Sequence, residues 1–390
     1  MNDNNILTPA LRFPGFSGDW SVKLVKDLCD INTGKSNTQD QVEDGKYPFY
    51  IRSAIPVRSN RYLYDCEAVI TIGDGQIGKV FHYVSGKFDL HQRCYMMSNF
   101  KGINPRYFYY FFSGNFYERA MRLTAKATVD SVRLEMISDM PIFIPPTYEE
   151  QNAIASLLTE IDHLISTQEQ KVESLKAHKK GLLQQLFPQP GATIPALRFP
   201  SFSGEWQFVN GDELFRPISN KNHNSDLPIL ALTQDQGAVP REMINYNVVV
   251  SDKSVAGYKV VEVDDFIISL RSFQGGIEYS RYKGLCSPAY IVIRKIDKTL
   301  SSDFYRIYFK SFNFIQDLNR NLEGIRDGKM ISYQQFSEIK LPLPSVAEQT
   351  VIANCISSLE NVILLESQKL DSLKEHKKGL MQQFFPQFEK

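Results

Sequence analysis

The chain has 390 residues, 43% of them hydrophobic and 23% charged, and its 44 basic and 44 acidic side chains leave no formal net charge. That length exceeds one ordinary domain and predicts two or three, and no apolar run approaches the roughly 18 residues that a membrane span requires. Zero net charge withholds the usual electrostatic footprint of a nucleic-acid binder without excluding a local basic face.

The N-terminus carries no signal-peptide pattern. The five cysteines (Cys29, Cys66, Cys94, Cys286, Cys355) form no C-x-x-C pair. Scattered cysteines predict a reducing cytoplasm and argue against a structural zinc site.

The first informative element is the segment Pro9–Trp20. Its Leu11-Arg12-Phe13-Pro14 and Trp20 return as Leu197-Arg198-Phe199-Pro200 and Trp206, an offset of 186 positions. A later segment opens at Glu150-Gln151, closes at Phe187-Pro188-Gln189, and returns at Glu348-Gln349 and Phe385-Pro386-Gln387, an offset of 198. Internal repeats decide architecture before any other pattern. Here the frame is duplicated while the intervening inserts differ, by 12 residues in length. Such a chain predicts one scaffold presenting two different recognition surfaces.

The first insert, residues 21–147, reads as short strands followed by a helix. Tyr47–Arg52, Ala68–Ile72, Gly78–Tyr83 and His91–Met97 have strand composition, and Pro105 opens an aromatic helix. At the ends of these strands and in the loops around them stand Arg52, Arg58, Asp74, Gln76, Lys79, His91, Gln92, Arg93, Lys126 and Arg133. Such side chains can read base edges and grip phosphates. Any one of these loops alone reads more readily as an ordinary solvated turn.

From Glu150 to Phe187 the apolar residues recur every seven positions. One seam is Leu158, Ile165, Val172, Lys179, Leu186; the other is Ile154, Ile161, Gln168, Leu175, Leu182. Eight of these ten are apolar, which predicts a coiled coil. Thr147 with Glu150 reads as a capping box, and Pro188 stops the helix.

The second insert, residues 207–346, repeats the order of elements. Its clearest strands are Pro228–Leu232, Asp265–Leu270 and Ala289–Ile293, with a helix from Ser302 to Phe309. The loops differ: Arg271-Ser272-Phe273-Gln274 stands where the first insert has Gly73–Lys79, and Cys286-Ser287-Pro288 where it has His91-Gln92-Arg93. Lys221, Arg241, Arg271, Ser272, Gln274, Arg326 and Lys329 are the candidates here. Paired placement in two inserts is what gives these loops weight.

The second long helix repeats the first, with Ser345 and Glu348 as its capping box. Its seams are Ile356, Ile363, Leu370, Lys377, Phe384 and Ile352, Leu359, Glu366, Leu373, Leu380. The polar exceptions fall at the same places as before. About 38 residues at roughly 1.5 Å each make a rod of about 57 Å. An insert of roughly 35–40 Å diameter does not comfortably span that gap, so the helices are expected to pack antiparallel. Gly181 and Gly379 inside these helices point either to fraying or to close approach of a partner helix. Leu158, Ile165, Leu175, Gly181, Leu182, Ile356, Ile363, Leu373, Gly379 and Leu380 are candidates for subunit interfaces.

Motifs that look catalytic are incomplete. Asn104-Pro105-Arg106-Tyr107 is similar to an amino-methyltransferase motif, but arginine replaces its second proline and no adenosylmethionine loop accompanies it. Gly34-Lys35-Ser36 lacks the upstream glycine of a phosphate loop, where Cys29 stands. Glu338-Ile339-Lys340 lacks an acidic partner. His178 and His376 occupy equivalent helix positions and read as surface or interface residues. No catalytic, cofactor or metal residue is assigned.

Taken together, the repeated Leu11–Trp20 segment, the Pro-x-x-x-Glu-Gln helix starts and the ending His178–Pro188 resemble the DNA-specificity subunit of type I restriction–modification enzymes, usually called HsdS. The resemblance covers essentially all of the chain. It implies an α+β fold: two α/β target recognition domains separated by two long helices packed as an antiparallel coiled coil, in a pseudo-twofold repeat. The expected boundaries are an N-terminal repeat segment at 1–20, recognition domain 1 at 21–147, a central helix and linker at 148–194, recognition domain 2 at 195–346 with the repeat segment 195–206, and a C-terminal helix at 347–390.

The resemblance also implies that this chain catalyses nothing. Each domain would read half of an asymmetric double-stranded DNA target. Two methyltransferase (HsdM) subunits would dock on the helices and bind S-adenosylmethionine, and two motor-nuclease (HsdR) subunits would use ATP and Mg²⁺. A competing reading from the residues is a coiled-coil adaptor whose inserts bind proteins.

Overall fold

A computed structural model describes residues 8–124, 131–224, 226–244, 255–320 and 331–386. They form two compact units, one built from residues up to Glu169 together with those from Gln368 onward, the other from Gln170–Ser367. Each long helix, Tyr148–Leu186 and Val346–Phe384, therefore contributes its halves to different units.

The first unit runs β1 (Ser21–Leu24), β2 (Asp30–Thr33), β3 (Tyr47–Tyr50), β4 (Val57–Ser59), β5 (Tyr64–Ile72), β6 (Phe81–Leu90), β7 (Cys94–Ser98), the helix Pro105–Thr124, and β8 (Pro141–Ile144). A six-stranded sheet has the order β2-β7-β5-β6-β3-β4, with β3 parallel to β6 and its other pairs antiparallel. The run expected from Gly78 begins as strand only at Phe81, because Gly75 and Gly78 hold positive φ in the preceding turn.

Residues 68–72 of β5 are all buried because both faces of the sheet are covered. Successive side chains point to opposite faces, so Val69 joins the cluster under the aromatic helix while Ala68, Ile70 and Ile72 join a second cluster with Tyr50, Phe88 and Leu90.

The aromatic helix begins where the Asn104 side chain accepts the N–H groups of Arg106 and Tyr107, with Pro105 supplying a helical φ at the first turn. Tyr107, Phe108, Phe111, Phe112 and Phe116 are fully buried on it. A helix apolar on most of its circumference belongs inside a core. Asn104-Pro105-Arg106-Tyr107 is thus a helix start. The Tyr107 hydroxyl donates to the Phe143 carbonyl at 2.7 Å.

The second unit contains β9 (Gln207–Asn210), β10 (Phe215–Ile218), β11 (Leu230–Thr233), β12 (Gly237–Pro240), β13 (Lys259–Val261), β14 (Phe266–Ile268), β15 (Glu278–Tyr279), β16 (Gly284–Cys286), β17 (Ile291–Lys295), the helices Ser302–Tyr308 and Phe312–Arg320, and β18 (Lys340–Leu343). Its sheet order β10-β17-β14-β15 reproduces β2-β7-β5-β6 of the first unit, antiparallel throughout. What differs is attached to this frame: β11 pairs with β12 and β13 with β16 as separate ribbons. Tyr305 repeats Tyr107, donating to the Pro342 carbonyl at 3.0 Å.

Each insert is closed at its base. β1 pairs antiparallel with β8, from Ser21↔Ile144 to Leu24↔Pro141, and β9 with β18, from Gln207↔Leu343 to Asn210↔Lys340. Entry and exit of each insert are therefore adjacent.

The repeated frame residues explain one another. In the first unit Arg12 donates through Nε and Nη2 to Glu150 at 2.7 and 2.8 Å, and to the Ser17 and Gly18 carbonyls. In the second, Arg198 does the same with Glu348 at 2.8 and 2.9 Å and with Ser203 and Gly204. Thr147 and Ser345 do accept the N–H groups of Glu150 and Glu348. The reciprocal half of each expected capping box is replaced, because the glutamate side chain is taken by arginine. The neighbouring glutamine caps the aromatic helix: Gln151 accepts the Asn104 N–H at 2.7 Å and Gln349 the Ser301 N–H at 3.0 Å.

Helix direction is read within each unit. In the first, Asp162 pairs with Lys377 at 2.5 Å and Glu169 with Lys374 at 2.7 Å. In the second, Lys171 pairs with Glu366 at 2.5 Å and Lys179 with Glu360 at 2.6 Å. Numbers rise on one helix as they fall on the other, so the pairing is antiparallel. Lys179 and Lys377, two of the four polar residues of the seams, are matched by Glu360 and Asp162.

The helix ends also enter the cores. Phe384 and Phe385 pack with Trp20 and Tyr107, and Leu186 and Phe187 with Trp206 and Phe304. Backbone bonds tie the ends down, Leu11 N–H to Gln383 and Leu197 N–H to Gln185.

Candidate nucleic-acid interface

Three loops of the first unit meet at one edge of its sheet: the segment after β3, the turn after β5, and the connection between β6 and β7. Gly73 donates to the Arg93 carbonyl at 2.7 Å, and Val132 donates to the Gly73 carbonyl at 2.7 Å. A Cβ at Gly73 would stand 2.7 Å from that Arg93 oxygen, closer than real Cβ atoms approach, so the tie requires glycine. His91 donates its backbone N–H to the Tyr50 carbonyl at 2.9 Å, and its Nδ1 accepts the Arg93 N–H at 3.1 Å.

This bracing gathers Arg52, Asp74, Gln92 and Arg93, whereas His91 is a correction: it is buried, and its ring holds the turn instead of facing outward. Each oxygen of Asp74 accepts from one guanidinium, Arg52 Nη1 at 2.9 Å and Arg93 Nη1 at 2.7 Å. Burial would raise the Asp74 carboxyl, but the hydrogen bonds from Arg93 and Arg52 outweigh it and hold it below the ordinary carboxylate range. Burial, then the charges of Arg52 and Arg93, push the His91 imidazole below its usual value. Both arginines remain on the outer surface, 43% and 60% exposed in their side chains.

The remaining candidates of this unit are dispersed. Gln76 lies in the same turn, its carbonyl accepting the Lys79 N–H, and Lys79 sits over the Tyr117 ring. Arg133 is exposed two residues beyond the bridge between Asp74 and Ser131. Arg58 stands on the edge strand, and its guanidinium holds a turn through the Gly45 and Lys46 carbonyls. Lys126 lies outside the described residues. Gly34-Lys35-Ser36 is committed to packing: the Lys35 and Ser36 N–H groups both go to Leu90, and the Ser36 hydroxyl donates to buried Asp89.

In the second unit Arg271 and Gln274 are exposed on the loop after β14. Ser272 is a correction: it is buried, and its hydroxyl oxygen accepts the Ser269 N–H at 2.8 Å, so it holds the turn instead of facing outward. Gln234, which the sequence did not single out, packs against Gly275 of this loop. Beneath it Lys310 donates to the Gly275 carbonyl and to Glu278 at 2.6 Å. Burial raises the Glu278 carboxyl and lowers the Lys310 ammonium, each partly offset by the other. Lys221 is exposed beside Asn220, whose carbonyl accepts from Val260, and Arg241 follows β12 with its N–H on Ile229. Among the described residues nothing draws these two to the Arg271 loop. Arg326 and Lys329 lie outside the described residues.

The helix candidates need a second correction. Leu158 and Ile356 are wholly buried and Ile165 nearly so, while Leu175, Leu182, Ile363, Leu373 and Leu380 are half-buried. Leu158 and Ile356 are spent on the cores of their own units, and Leu380 and Leu182 pack against those cores. A Cβ added at Gly181 or Gly379 would meet nothing within 4 Å, so no described helix of this chain approaches them closely. Among the apolar side chains left outward on the long helices are off-seam Leu164 in the first unit, and Val362, Leu364 and Leu365 in the second.

Across this duplicated layout, the family model of the type I restriction modification DNA specificity domain matches twice, over residues 17–177 and 204–375. The chain belongs to this family. It is a specificity subunit of a type I restriction–modification system, the non-catalytic component of such systems, and DNA recognition is its role.

Relatives of this specificity subunit span nearly its whole length. The putative MjaX specificity subunit of Methanocaldococcus jannaschii is 26% identical, over 93% of this chain and 92% of that protein. The EcoDI specificity subunit of Escherichia coli is 24% identical, over 87% and 81%. The solved S subunit from M. genitalium shares the fold with a TM-score of 0.65 at 16% identity, covering 98% of this chain and 100% of that one. Among the described residues no helix is long and apolar enough to cross a membrane.

Proposed function

We propose that each unit reads one half of an asymmetric, bipartite duplex DNA target. The observation that carries this is the identical four-strand order in both units with unlike loops at the sheet edge. A duplicated frame places two readers in equivalent settings, while different loop residues give them different sequences to read. Arginine and glutamine on loops pinned by backbone bonds suit base-edge and phosphate contacts.

The long helices would act as the spacer. A helix of 39 residues is about 58 Å long at roughly 1.5 Å per residue, which sets an upper limit of about 1.6–1.7 turns of duplex at about 34–36 Å per turn. Their off-seam apolar residues would dock two methyltransferase subunits, and two motor-nuclease subunits would complete the restriction enzyme. S-adenosylmethionine, ATP and Mg²⁺ belong to those partners in this reading.

The test is a matched seven-residue insertion in both long helices, with the methylated motif of the assembled methyltransferase read out. The spacer should lengthen while both half-sites stay the same. Altered half-sites with an unchanged spacer would refute the ruler.

A further inference from the structure

We propose that Asp74 is a positioning residue that presets Arg52 and Arg93 as a pair for the major-groove edge of guanine in the half-site read by the first unit. This rests on the proposed reading of DNA by that unit and names the chemistry its edge loops accept. Three observations carry it.

First, the carboxylate divides itself between the two guanidiniums, one oxygen each, at 2.9 and 2.7 Å. Both bonds use Nη1, which leaves the Nε–Nη2 edge of each arginine as a pair of parallel donors. That edge matches the two acceptors O6 and N7 of guanine, the commonest specific arginine contact in DNA.

Second, the stems of this fork are fixed. Arg52 lies two residues beyond Tyr50, whose carbonyl accepts from His91, while the Arg93 carbonyl accepts from Gly73 and its N–H is held by His91 Nδ1. A donor pair set before binding loses less entropy on contact.

Third, the charge is wrong for a phosphate clamp. A carboxylate bonded to both cations lies within a few ångströms of whatever they grip, and at such distances it repels a phosphate oxygen. A base edge carries only partial negative charges and is repelled far less than a full phosphate charge. The triad carries one net positive charge where two free arginines would carry two, which trades non-specific attraction for discrimination.

The experiment uses the chain assembled with its methyltransferase subunits and a library of duplex targets. Methylation rate is compared for wild type, Asp74→Asn, Asp74→Ala and Arg93→Ala. Both Asp74 variants should lose about 10- to 100-fold of discrimination at guanine positions in one half-site, from the worth of a bidentate arginine–guanine contact. The other half-site should be read as before, which also reports that the protein is folded; the isosteric Asp74→Asn guards against loop collapse in the alanine variant. Arg93→Ala should lose discrimination at an overlapping position.

Uniformly tighter binding with the half-site unchanged would mark a phosphate clamp and overturn the proposal, as would no change in either variant. Replacing residues 21–147 by an unrelated insert separates the two levels. If that exchange alters one half-site while the Asp74 variants do not, the positioning role fails alone; if it alters neither, the reading of DNA by the first unit fails.

Discussion

Replacing Arg12 by alanine isolates the contact that locks the repeated N-terminal segment to the helix start. Glu150 has a side chain only 1% exposed, and Arg12 supplies its two charge-assisted bonds at 2.7 and 2.8 Å. Removing the arginine strands a carboxylate in the core, and breaking a buried pair in this way costs about 3–5 kcal/mol. Arg12 itself is 18% exposed, so water can enter behind it and the lower figure, about 3 kcal/mol, is expected. The Ser17 and Gly18 carbonyls it also served add little, since both bonds are at the surface. For a cooperative unit of this size, 1 kcal/mol moves Tm by about 2–4 °C, so calorimetry should show the transition of the first unit falling by about 6–12 °C. Replacing both partners, Arg12→Met with Glu150→Leu, should recover most of the loss because no charge is left unpaired. An Arg12→Ala protein melting within about 2 °C of wild type would refute this reasoning.

Three further outcomes follow from the same geometry. Tyr107→Phe should destabilise by about 1–3 kcal/mol by leaving the buried Phe143 carbonyl without its donor; an unchanged denaturation midpoint would show that water replaces the hydroxyl. Gly181→Ala and Gly379→Ala should each stabilise the isolated chain by about 1 kcal/mol, because a Cβ meets nothing there and alanine favours helix; destabilisation would restore the idea of close helix approach. Burial raises the Glu278 carboxyl on folding, and a group raised in this way contributes stability at low pH that is lost as pH rises through its folded value. Lys310 opposes that rise, so Lys310→Met should make the second unit lose more stability than wild type between about pH 5 and 7; denaturation showing equal destabilisation at both pH values would contradict it.

Much of the frame was legible because its signals are local. Proline stops, seven-residue periodicity and the Asn104-Pro105 start each depend on neighbours in sequence, and the helices and aromatic stretch stand where those signals place them. The roles of Arg12, Glu150 and Gln151 were hidden because their partners are remote in sequence, 138 residues apart for Arg12 with Glu150 and 47 for Gln151 with Asn104. Glu150 fitted a capping box locally, and only the fold reveals that a distant arginine takes its carboxylate.

The seam of the long helices illustrates the opposite error. Leu158 and Ile356 were legible as interface residues, but periodicity cannot say whether the interface lies within the chain or beyond it. At the sheet edge, Arg52, Asp74 and Arg93 were each visible as loop residues, while their meeting depends on strand order. Arg58 and Ser272 had the same composition cues and are engaged in holding turns.

The most direct test of the account is the methylated motif produced after residues 21–147 are exchanged for the corresponding insert of another specificity subunit. Two independent readers on a duplicated frame predict a bipartite motif with one half replaced, the other retained and the spacer constant. A motif in which both halves change, or one that becomes a single contiguous sequence, would contradict it.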